Sequence, residues 1–365
     1  MSVAMSRGHT VLSLTVVVFV MISSFGCMLS SASAEDEDYT YDSDFTSFYD
    51  QLSDNAKVIY DEIGAVTAAD LTVDITLTYP IYADSEKGLE YVESLVKKEV
   101  SSAFFALKME APLALCTWGE SYIEWDYTTS AVGDLTCVSG MALTVVMDEN
   151  YADDPETDNN ELQEKVDALN DAIEAYDVGT TDLRTMIGNI NSYLTSRLSY
   201  DSNYKNDDRD PYAHDAYGAL VSDSKLVVCD GFSRGFQVLC QKYDITCYTI
   251  IGYTTPELEG HAWNAVMMDN DKWYPVDVTW NQGSSNKYLL CSAETVNTDH
   301  VAGYYPSSGG AYFDYPVYSE TKYDADPWYE SQYLEYAIMA ALGGAIILGL
   351  YLAVREDKKK GLPKK

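Results

Sequence analysis

One cysteine in the second half of the chain is placed where its thiol could act as a nucleophile. Cys229 comes directly before a segment in which Phe232, Phe236 and Leu239 recur at helical spacing, so we expect it at a helix N-terminus. The unpaired N–H groups and the dipole of such a terminus favour the thiolate, and they can also hold a developing oxyanion. A single cysteine is more often a buried core thiol, so the catalytic interpretation requires partners.

A predicted β-hairpin supplies those partners. Its strands cover residues 260–268 and 272–280 and are joined by the polar three-residue loop Asp269-Asn270-Asp271. With that loop length, Asp277 faces Trp263 and lies diagonal to His261 on the same face of the hairpin. A carboxylate there can hold the imidazole in one tautomer while its other nitrogen faces the thiol. A histidine on a strand is usually structural, but its pairing with an acid favours catalysis.

The other aromatic and histidine residues near these segments are assigned weaker roles. Trp263 and Trp280 could wall a substrate site, although core packing beside the hairpin explains them equally well. His214 lies in a predicted polar loop and His300 in a late irregular region. Neither histidine has an orienting acid that an obvious hairpin would place, so neither is expected to act in catalysis.

Four sequence blocks resemble the microbial transglutaminase-like superfamily, and their order and spacing agree with it over roughly residues 180 to 292. They are A-Y-G-A-L-V at 216–221, V-C-D-G-F-S-R-G-F at 228–236, H-A-W-N at 261–264 and W-Y-P-V-D-V-T-W at 273–280. The resemblance implies a papain-like fold with Cys229 as nucleophile, His261 as general base and acid, and Asp277 as orienting carboxylate. Gly235 departs from it, because a small helix former is expected there, and it should weaken the helix.

The periodicity of the whole chain predicts an α+β fold in which helices pack on an antiparallel sheet, preceded by an α+β accessory region. The resemblance implies that the core is a papain-like transglutaminase core. The predicted organisation is a signal peptide (1–34), the accessory region (35–150), the transglutaminase-like domain (151–300), a stalk (301–335), a transmembrane helix (336–354) and a basic cytoplasmic tail (355–365).

Both ends of the chain carry membrane-type segments. An apolar run before Ala32-Ser33-Ala34 predicts a secretory signal peptide, with an uncleaved anchor as the alternative. Residues 336–354 contain no charge and are about 19 residues long, enough to span a roughly 30 Å hydrocarbon layer; the alternative is a buried core helix. The lysine-rich tail after them predicts a single-pass membrane protein with its tail cytoplasmic and its main domain extracytoplasmic.

The strongly negative net charge of the chain limits which macromolecules could bind to it. The chain has 58 acidic and 23 basic residues and a net charge of −35. Such a field repels polyanions, so nucleic acid is excluded as a partner, whereas a basic protein or peptide substrate would be attracted. The alternative is a solvated surface adapted to salt or low pH. Besides substrate, the only other predicted partner is the membrane, through the C-terminal helix.

Cysteine and histidine spacing indicates no metal site. No C-x-x-C pair, His-rich spacing or EF-hand loop is present, so no metal and no cofactor is expected. Six cysteines follow the predicted signal peptide, and an exported even set suggests disulfides. Because a nucleophilic Cys229 must stay free, Cys116 with Cys137 and Cys240 with Cys247 are the pairs to test.

Together these features predict a membrane-anchored, extracytoplasmic thiol enzyme that acts on amide bonds through a thioester, with hydrolysis of a peptide or amide favoured over transfer to an amine. The alternatives are a protein-crosslinking acyltransferase and a non-catalytic cell-surface binding or adhesion module on the same fold. The substrate does not follow from the sequence.

Overall fold

The computed structural model describes residues 45–151, 159–205, 209–283, 286–303 and 313–323, together with Met339. The chain divides into two compact units, Met1–Lys322 and Tyr323–Lys365, and in the second only Tyr323 and Met339 are described. The first unit contains both the accessory region and the thiol domain, so these two parts share one compact body.

The predicted membrane-type segments fall outside the described residues. This applies to the signal peptide at 1–34, to the transmembrane helix at 336–354 apart from Met339, and to the basic tail at 355–365. Within the part of the chain that the structure describes, no helix combines the length and apolarity needed to cross a membrane. The anchor and the leader stay predictions.

The described elements confirm the α+β class. The helices are α1 (Asp54–Gly64), α2 (Leu89–Glu110), α3 (Asn159–Ala175), α4 (Leu183–Arg197), α5 (Ala216–Leu220), α6 (Cys229–Lys242), α7 (Val278–Asn281) and α8 (Ala293–Val296). The strands are β1 (Thr72–Asp84), β2 (Tyr122–Tyr127), β3 (Ser130–Val132), β4 (Leu135–Val146), β5 (Ser199–Tyr200), β6 (Leu226–Val227), β7 (Cys247–Thr254), β8 (Gly260–Met267), β9 (Trp273–Val276) and β10 (His300–Ala302).

The accessory region packs two helices on an antiparallel sheet of order β1-β4-β2, with β3 paired to β4. Ser53 caps α1 by accepting a hydrogen bond from the Ala56 N–H, as its position before the apolar periodicity predicts. Gly88 adopts a φ of +77° after the short helical turn Ser85–Lys87, and α2 begins directly after it. Its apolar face then buries Val92 and Val96 against the sheet.

The second sheet has the order β10-β7-β8-β9, and helix α6 packs against it. The predicted hairpin register is confirmed, since Asn264 pairs with Val276 and Met267 with Trp273. The predicted second strand, however, ends at Val276 rather than at Trp280. Asp277 accepts a hydrogen bond from the Trp280 N–H and caps α7, so the chain turns into a helix there.

A buried glutamine joins the accessory region to the helix that carries Cys229. Gln237 Nε2 donates to the carbonyls of Met109 at 2.8 Å and of Cys247 at 3.1 Å, and its Oε1 accepts from the Thr249 hydroxyl at 2.8 Å. The side chain thus links the end of α2, the middle of α6 and strand β7. This contact fixes the position of α6 relative to the end of α2.

Part of the predicted stalk is folded onto the domain. His300–Ala302 forms strand β10 on the edge of β7, and the Ser319 N–H donates to the Trp273 carbonyl at 2.9 Å. Tyr315 and Tyr318 are buried. The sequence missed this arrangement because a three-residue strand is too short to show a period of two.

Packing between two helices explains why a glycine occupies position 235 despite its low helix propensity. A Cβ atom added at this position would lie 2.7 Å from the Cβ of Ala219, so the close approach of α5 to α6 requires a glycine. The expectation that Gly235 only weakens the helix was therefore incomplete.

We expect G235A to destabilise the protein by about 1–3 kcal/mol through overpacking, although alanine favours a helix by roughly 1 kcal/mol. Denaturant unfolding measures the change. In the double variant G235A/A219G the clash is relieved, so the second substitution should recover part of the loss. A G235A variant more stable than wild type would contradict this account.

Candidate active site

Cys229 is the first residue of α6, as its sequence context predicts. Its chain position is fixed on both sides: the Val228 N–H donates to the Ala213 carbonyl at 2.9 Å, and the Ser233 hydroxyl donates to the Cys229 carbonyl at 2.9 Å. The residue is only 4 % exposed. The thiol therefore sits at a helix N-terminus inside the protein rather than on its surface.

His261 and Asp277 are joined by a hydrogen bond across the predicted hairpin. Nε2 of His261 lies 3.0 Å from Oδ2 of Asp277, and the two residues are 5 % and 1 % exposed. With Nε2 engaged, Nδ1 is the nitrogen that can exchange a proton with a thiol. Cys229 lies beside this pair: its sulfur interacts with the backbone N–H of Ala262, the residue after His261, and with the charge of Asp277.

The expectation that the helix terminus lowers the thiol pKa is not met in this resting structure. Burial raises the pKa of Cys229 above its ordinary value, and the neighbouring Asp230 carboxylate raises it further. The N–H groups of Ala262 and Asp230 act in the opposite direction but do not outweigh burial. The resting thiol is therefore protonated, and His261 has to take its proton for the sulfur to become nucleophilic.

His300 joins the site, which the sequence did not predict. Its Nε2 lies 3.1 Å from Oδ2 of Asp277, and its Nδ1 lies 2.7 Å from Oδ1 of Asp299. Oδ2 of Asp277 thus accepts from two histidines. The interactions with the histidines outweigh the effect of burial and hold the pKa of Asp277 well below its usual range, so the carboxylate is ionised.

His214 also has an acid partner, contrary to the sequence expectation. Its Nδ1 lies 3.0 Å from both carboxylate oxygens of Asp230, the residue after the nucleophile. Burial alone would lower the pKa of His214, but the Asp230 charge outweighs it and the pKa is raised. Conversely, burial would raise the pKa of Asp230, and His214 holds it down. The two residues form a buried ion pair next to Cys229.

We expect H214Q to lower the free energy of unfolding by about 3–5 kcal/mol, the cost of breaking a buried pair. Because the pKa of His214 is raised in the folded protein, His214 contributes fully to stability below its unfolded pKa of about 6.5, and this contribution is lost as the pH rises through the folded pKa. Because the pKa of Asp230 is lowered, Asp230 contributes fully to stability above its unfolded pKa of about 3.9, and this contribution is lost as the pH falls through the folded pKa.

The difference between wild type and H214Q should therefore be largest between about pH 4 and 6.5 and should shrink at higher pH. Chemical unfolding at several pH values measures it. The matched control is K205Q, which breaks the exposed Lys205–Glu259 pair and should change stability little. A pH-independent difference would contradict the ion pair.

The two predicted wall residues differ in exposure. Trp263 is buried, its Nε1 donates to the Tyr318 hydroxyl at 2.9 Å, and its ring stacks on His261 at 6.1 Å. These contacts favour the core-packing interpretation. Trp280 is half-buried, with its ring centroid 5.2 Å from that of His261 and 4.5 Å from that of His300. Trp280 can therefore reach both the histidines and solvent.

Tyr200 is an exposed residue near the thiol. It ends strand β5, which pairs with β6 just before Cys229, and it is 38 % exposed. Burial raises the pKa of its hydroxyl, and the nearby Cys229 raises it further.

Among the described residues, His261, Asp277 and His300 offer three ligand atoms that lie within 4.8 Å of one another and could hold a metal ion. In the structure these atoms are instead joined by hydrogen bonds at 3.0 and 3.1 Å. A metal would displace both bonds and would occupy the nitrogen by which Asp277 orients His261.

All six cysteines among the described residues are free. The suggested pair Cys240 and Cys247 is in side-chain hydrogen-bond contact, whereas the charges that act on Cys116 come from Lys108 and Arg234. Cys229 thus retains the free thiol that a nucleophile needs.

Comparison with known families identifies one part of the chain. Residues 160–278 match the family model of the transglutaminase-like superfamily. This segment contains Cys229, His261 and Asp277 but stops before His300. No curated protein matches the chain.

Three solved structures show distant similarity. A TGase is 15 % identical, with 66 % of this chain and 62 % of that chain covered and a TM-score of 0.30. A candidate cysteine protease from Cytophaga hutchinsonii is 11 % identical (50 % and 68 % covered, TM-score 0.27). The periplasmic domain of TgpA from Pseudomonas aeruginosa, bound to ethylmercury, is 12 % identical (43 % and 65 % covered, TM-score 0.24). At these TM-scores the similarities carry no argument about activity.

Proposed function

We propose that this chain, whose residues 160–278 form a transglutaminase-like core, is a cysteine-dependent enzyme that cleaves or transfers at amide bonds with Cys229 as its nucleophile. The observation that carries the proposal is the buried hydrogen bond between His261 and Asp277 beside a free thiol at a helix N-terminus. A nucleophile, a base and a group that orients the base are the three parts that covalent acyl chemistry requires.

In the first half-reaction, His261 Nδ1 removes the proton of the Cys229 thiol while the sulfur attacks the amide carbonyl carbon. A C–S bond forms and the carbonyl electron pair moves onto the oxygen. We assign the backbone N–H of Cys229 to this oxyanion, because the first N–H groups of a helix have no intrahelical acceptor. When the C–N bond breaks, His261 returns its proton to the departing amine and a thioester remains.

In the second half-reaction, a nucleophile attacks the thioester and His261 again removes its proton. Water gives the free acid and regenerates the Cys229 thiol, whereas a lysine amine gives a crosslink. Asp277 stays ionised throughout and stabilises the imidazolium that forms in each half-reaction. We favour water as the acceptor, so that the enzyme is a protease or amidase; a crosslinking acyltransferase and a surface binding module are the alternatives.

We further propose that the enzyme is held at the cell membrane by residues 336–354 with its thiol domain outside. The support is the uncharged apolar stretch and the lysine tail that follows it. The net charge of −35 favours a basic protein or peptide as substrate.

An acyl-trapping experiment tests the proposed chemistry. The full-length protein in detergent is mixed with p-nitrophenyl acetate, and the acetylated residue is mapped by mass spectrometry. We expect acetyl-Cys229, which then decays in water or, if an amine acceptor is used, transfers to monodansylcadaverine. Acetylation spread over other cysteines, or none at Cys229, would favour the binding module.

A further inference from the structure

The carboxylate that orients His261 is shared with a second buried histidine. Oδ2 of Asp277 lies 3.0 Å from Nε2 of His261 and 3.1 Å from Nε2 of His300, and His300 is 2 % exposed. On its other side, His300 Nδ1 lies 2.7 Å from Asp299. The four residues therefore form a continuous hydrogen-bonded chain, His261–Asp277–His300–Asp299.

The carboxylate of Asp277 decides how the His300 ring is used. Asp277 is ionised and can only accept hydrogen bonds, so the His300 Nε2 that faces it donates to Oδ2. On the other side of the ring, Asp299 is itself held by the Tyr288 hydroxyl at 2.5 Å and by the Lys287 ammonium at 3.5 Å. His300 is therefore held at both ring nitrogens, with Nε2 as the donor to Asp277.

Strand pairing explains how a residue far along the chain reaches Asp277. His261 pairs with Gly252 on β7, and Gly252 pairs with Ala302 on β10, so β7 lies between the two histidine-bearing strands. Gly252 permits β10 to approach β7 closely, because an added Cβ would lie 2.1 Å from the Val301 carbonyl oxygen and 2.8 Å from the Trp263 ring. In this arrangement the ring centroids of His261 and His300 are 5.2 Å apart.

Aromatic rings pack around His300. The ring centroids of Trp280, Trp263 and Tyr288 lie 4.5, 4.9 and 5.3 Å from that of His300. This packing restricts the orientation of the imidazole and keeps its Nε2 directed at Asp277.

We propose that His300 is a positioning residue for the Cys229–His261–Asp277 triad: held between Asp277 and Asp299, it donates from Nε2 to the carboxylate that orients His261 and fixes that carboxylate in place. This inference rests on the proposed function for its catalytic consequence, but not for the hydrogen bond itself. It predicts that the effect of removing His300 is recovered by a side chain that can still donate to Asp277.

The substitutions H300A and H300Q test this hydrogen bond. In H300A the hydrogen bond is lost, so we expect the plateau rate of Cys229 alkylation to fall about tenfold, at the low end of the cost of removing a residue that positions a functional histidine. In H300Q an amide N–H can still reach Asp277, so the plateau rate should recover.

A nuclear magnetic resonance measurement on the wild-type chain tests the hydrogen bond without any variant. In the full-length protein in detergent, labelled with 15N-histidine, we expect Nε2 of His300 to show an N–H-type shift at neutral pH; H300Q assigns the signal. A non-protonated Nε2 at His300 would overturn the proposal. The proposal would also be overturned if H300A, folded as judged by its unfolding curve, kept the wild-type plateau rate, or if H300Q lost as much rate as H300A.

The two ways of failing remain distinguishable. If wild-type Cys229 does not react, the proposed function fails, while the Nε2 shift still decides whether His300 donates to Asp277. If Cys229 reacts normally and H300A matches wild type, only the positioning role fails.

Discussion

D277N is expected to lower acyl transfer from p-nitrophenyl acetate by about 10³- to 10⁴-fold, the size of the loss when a triad carboxylate becomes an amide. Asp277 accepts three hydrogen bonds, from the Trp280 N–H at Oδ1 and from His261 and His300 at Oδ2. An asparagine has one oxygen. If that oxygen caps α7, the NH2 group of the asparagine faces the ring N–H groups of both histidines. His261 must then carry its proton on Nδ1 instead of Nε2, and Nδ1 can no longer accept a proton from the thiol.

The matched control for this prediction is D271N on the same hairpin. Asp271 is exposed and has a φ of +56°, which asparagine tolerates well, so the substitution should leave the rate unchanged. Initial rates and unfolding curves of the two variants separate a catalytic effect from a folding defect. A folded D277N protein within tenfold of the wild-type rate would rule out Asp277 as the group that orients His261.

C229A should abolish turnover, with a loss of up to about 10⁶-fold, as expected when a triad loses its nucleophile. Alanine keeps the N-terminal position in α6 but offers no atom to form the thioester. C240A is the control, because Cys240 lies in the same helix and is equally buried but contacts Cys247 rather than His261. Steady-state rates and mass spectrometry of the acylated protein measure the effect. Comparable losses in the two variants would indicate disturbed packing and not a lost nucleophile.

Local sequence rules were sufficient for the hairpin and for the helix that begins at Cys229. A three-residue loop fixes which positions pair, so the pairing of Asn264 with Val276, and with it the position of Asp277 near His261, followed from counting residues. The helix start followed from the spacing of Phe232 and Phe236. Both features depend on residues close together in the chain, and for this reason they could be predicted.

Features that depend on long-range packing could not be predicted. His300 reaches Asp277 because β10 pairs with β7, and a three-residue strand shows no periodicity; the adjacent Asp299–His300 dipeptide was the one available signal. The raised pKa of Cys229 arises from burial by distant segments. Likewise, the need for Gly235 depends on Ala219 in another helix. In each case the deciding neighbour is remote in sequence.

The central claim is that His261 activates the thiol of Cys229. The most direct test is the pH-dependent rate of iodoacetamide labelling of the full-length protein in detergent, wild type beside H261A, with the labelled cysteine mapped by mass spectrometry. Because burial raises the thiol pKa, Cys229 without a base should react only at alkaline pH.

The account predicts fast and selective labelling of Cys229 near neutral pH in wild type. In H261A it predicts a fall of about 10²-fold or more, the contribution typical of a general base, with labelling recovered only as the pH rises. If Cys229 is inert, or if it labels at the same rate and with the same pH dependence in both proteins, the thiol–imidazole pair does not exist and the proposed catalysis is wrong.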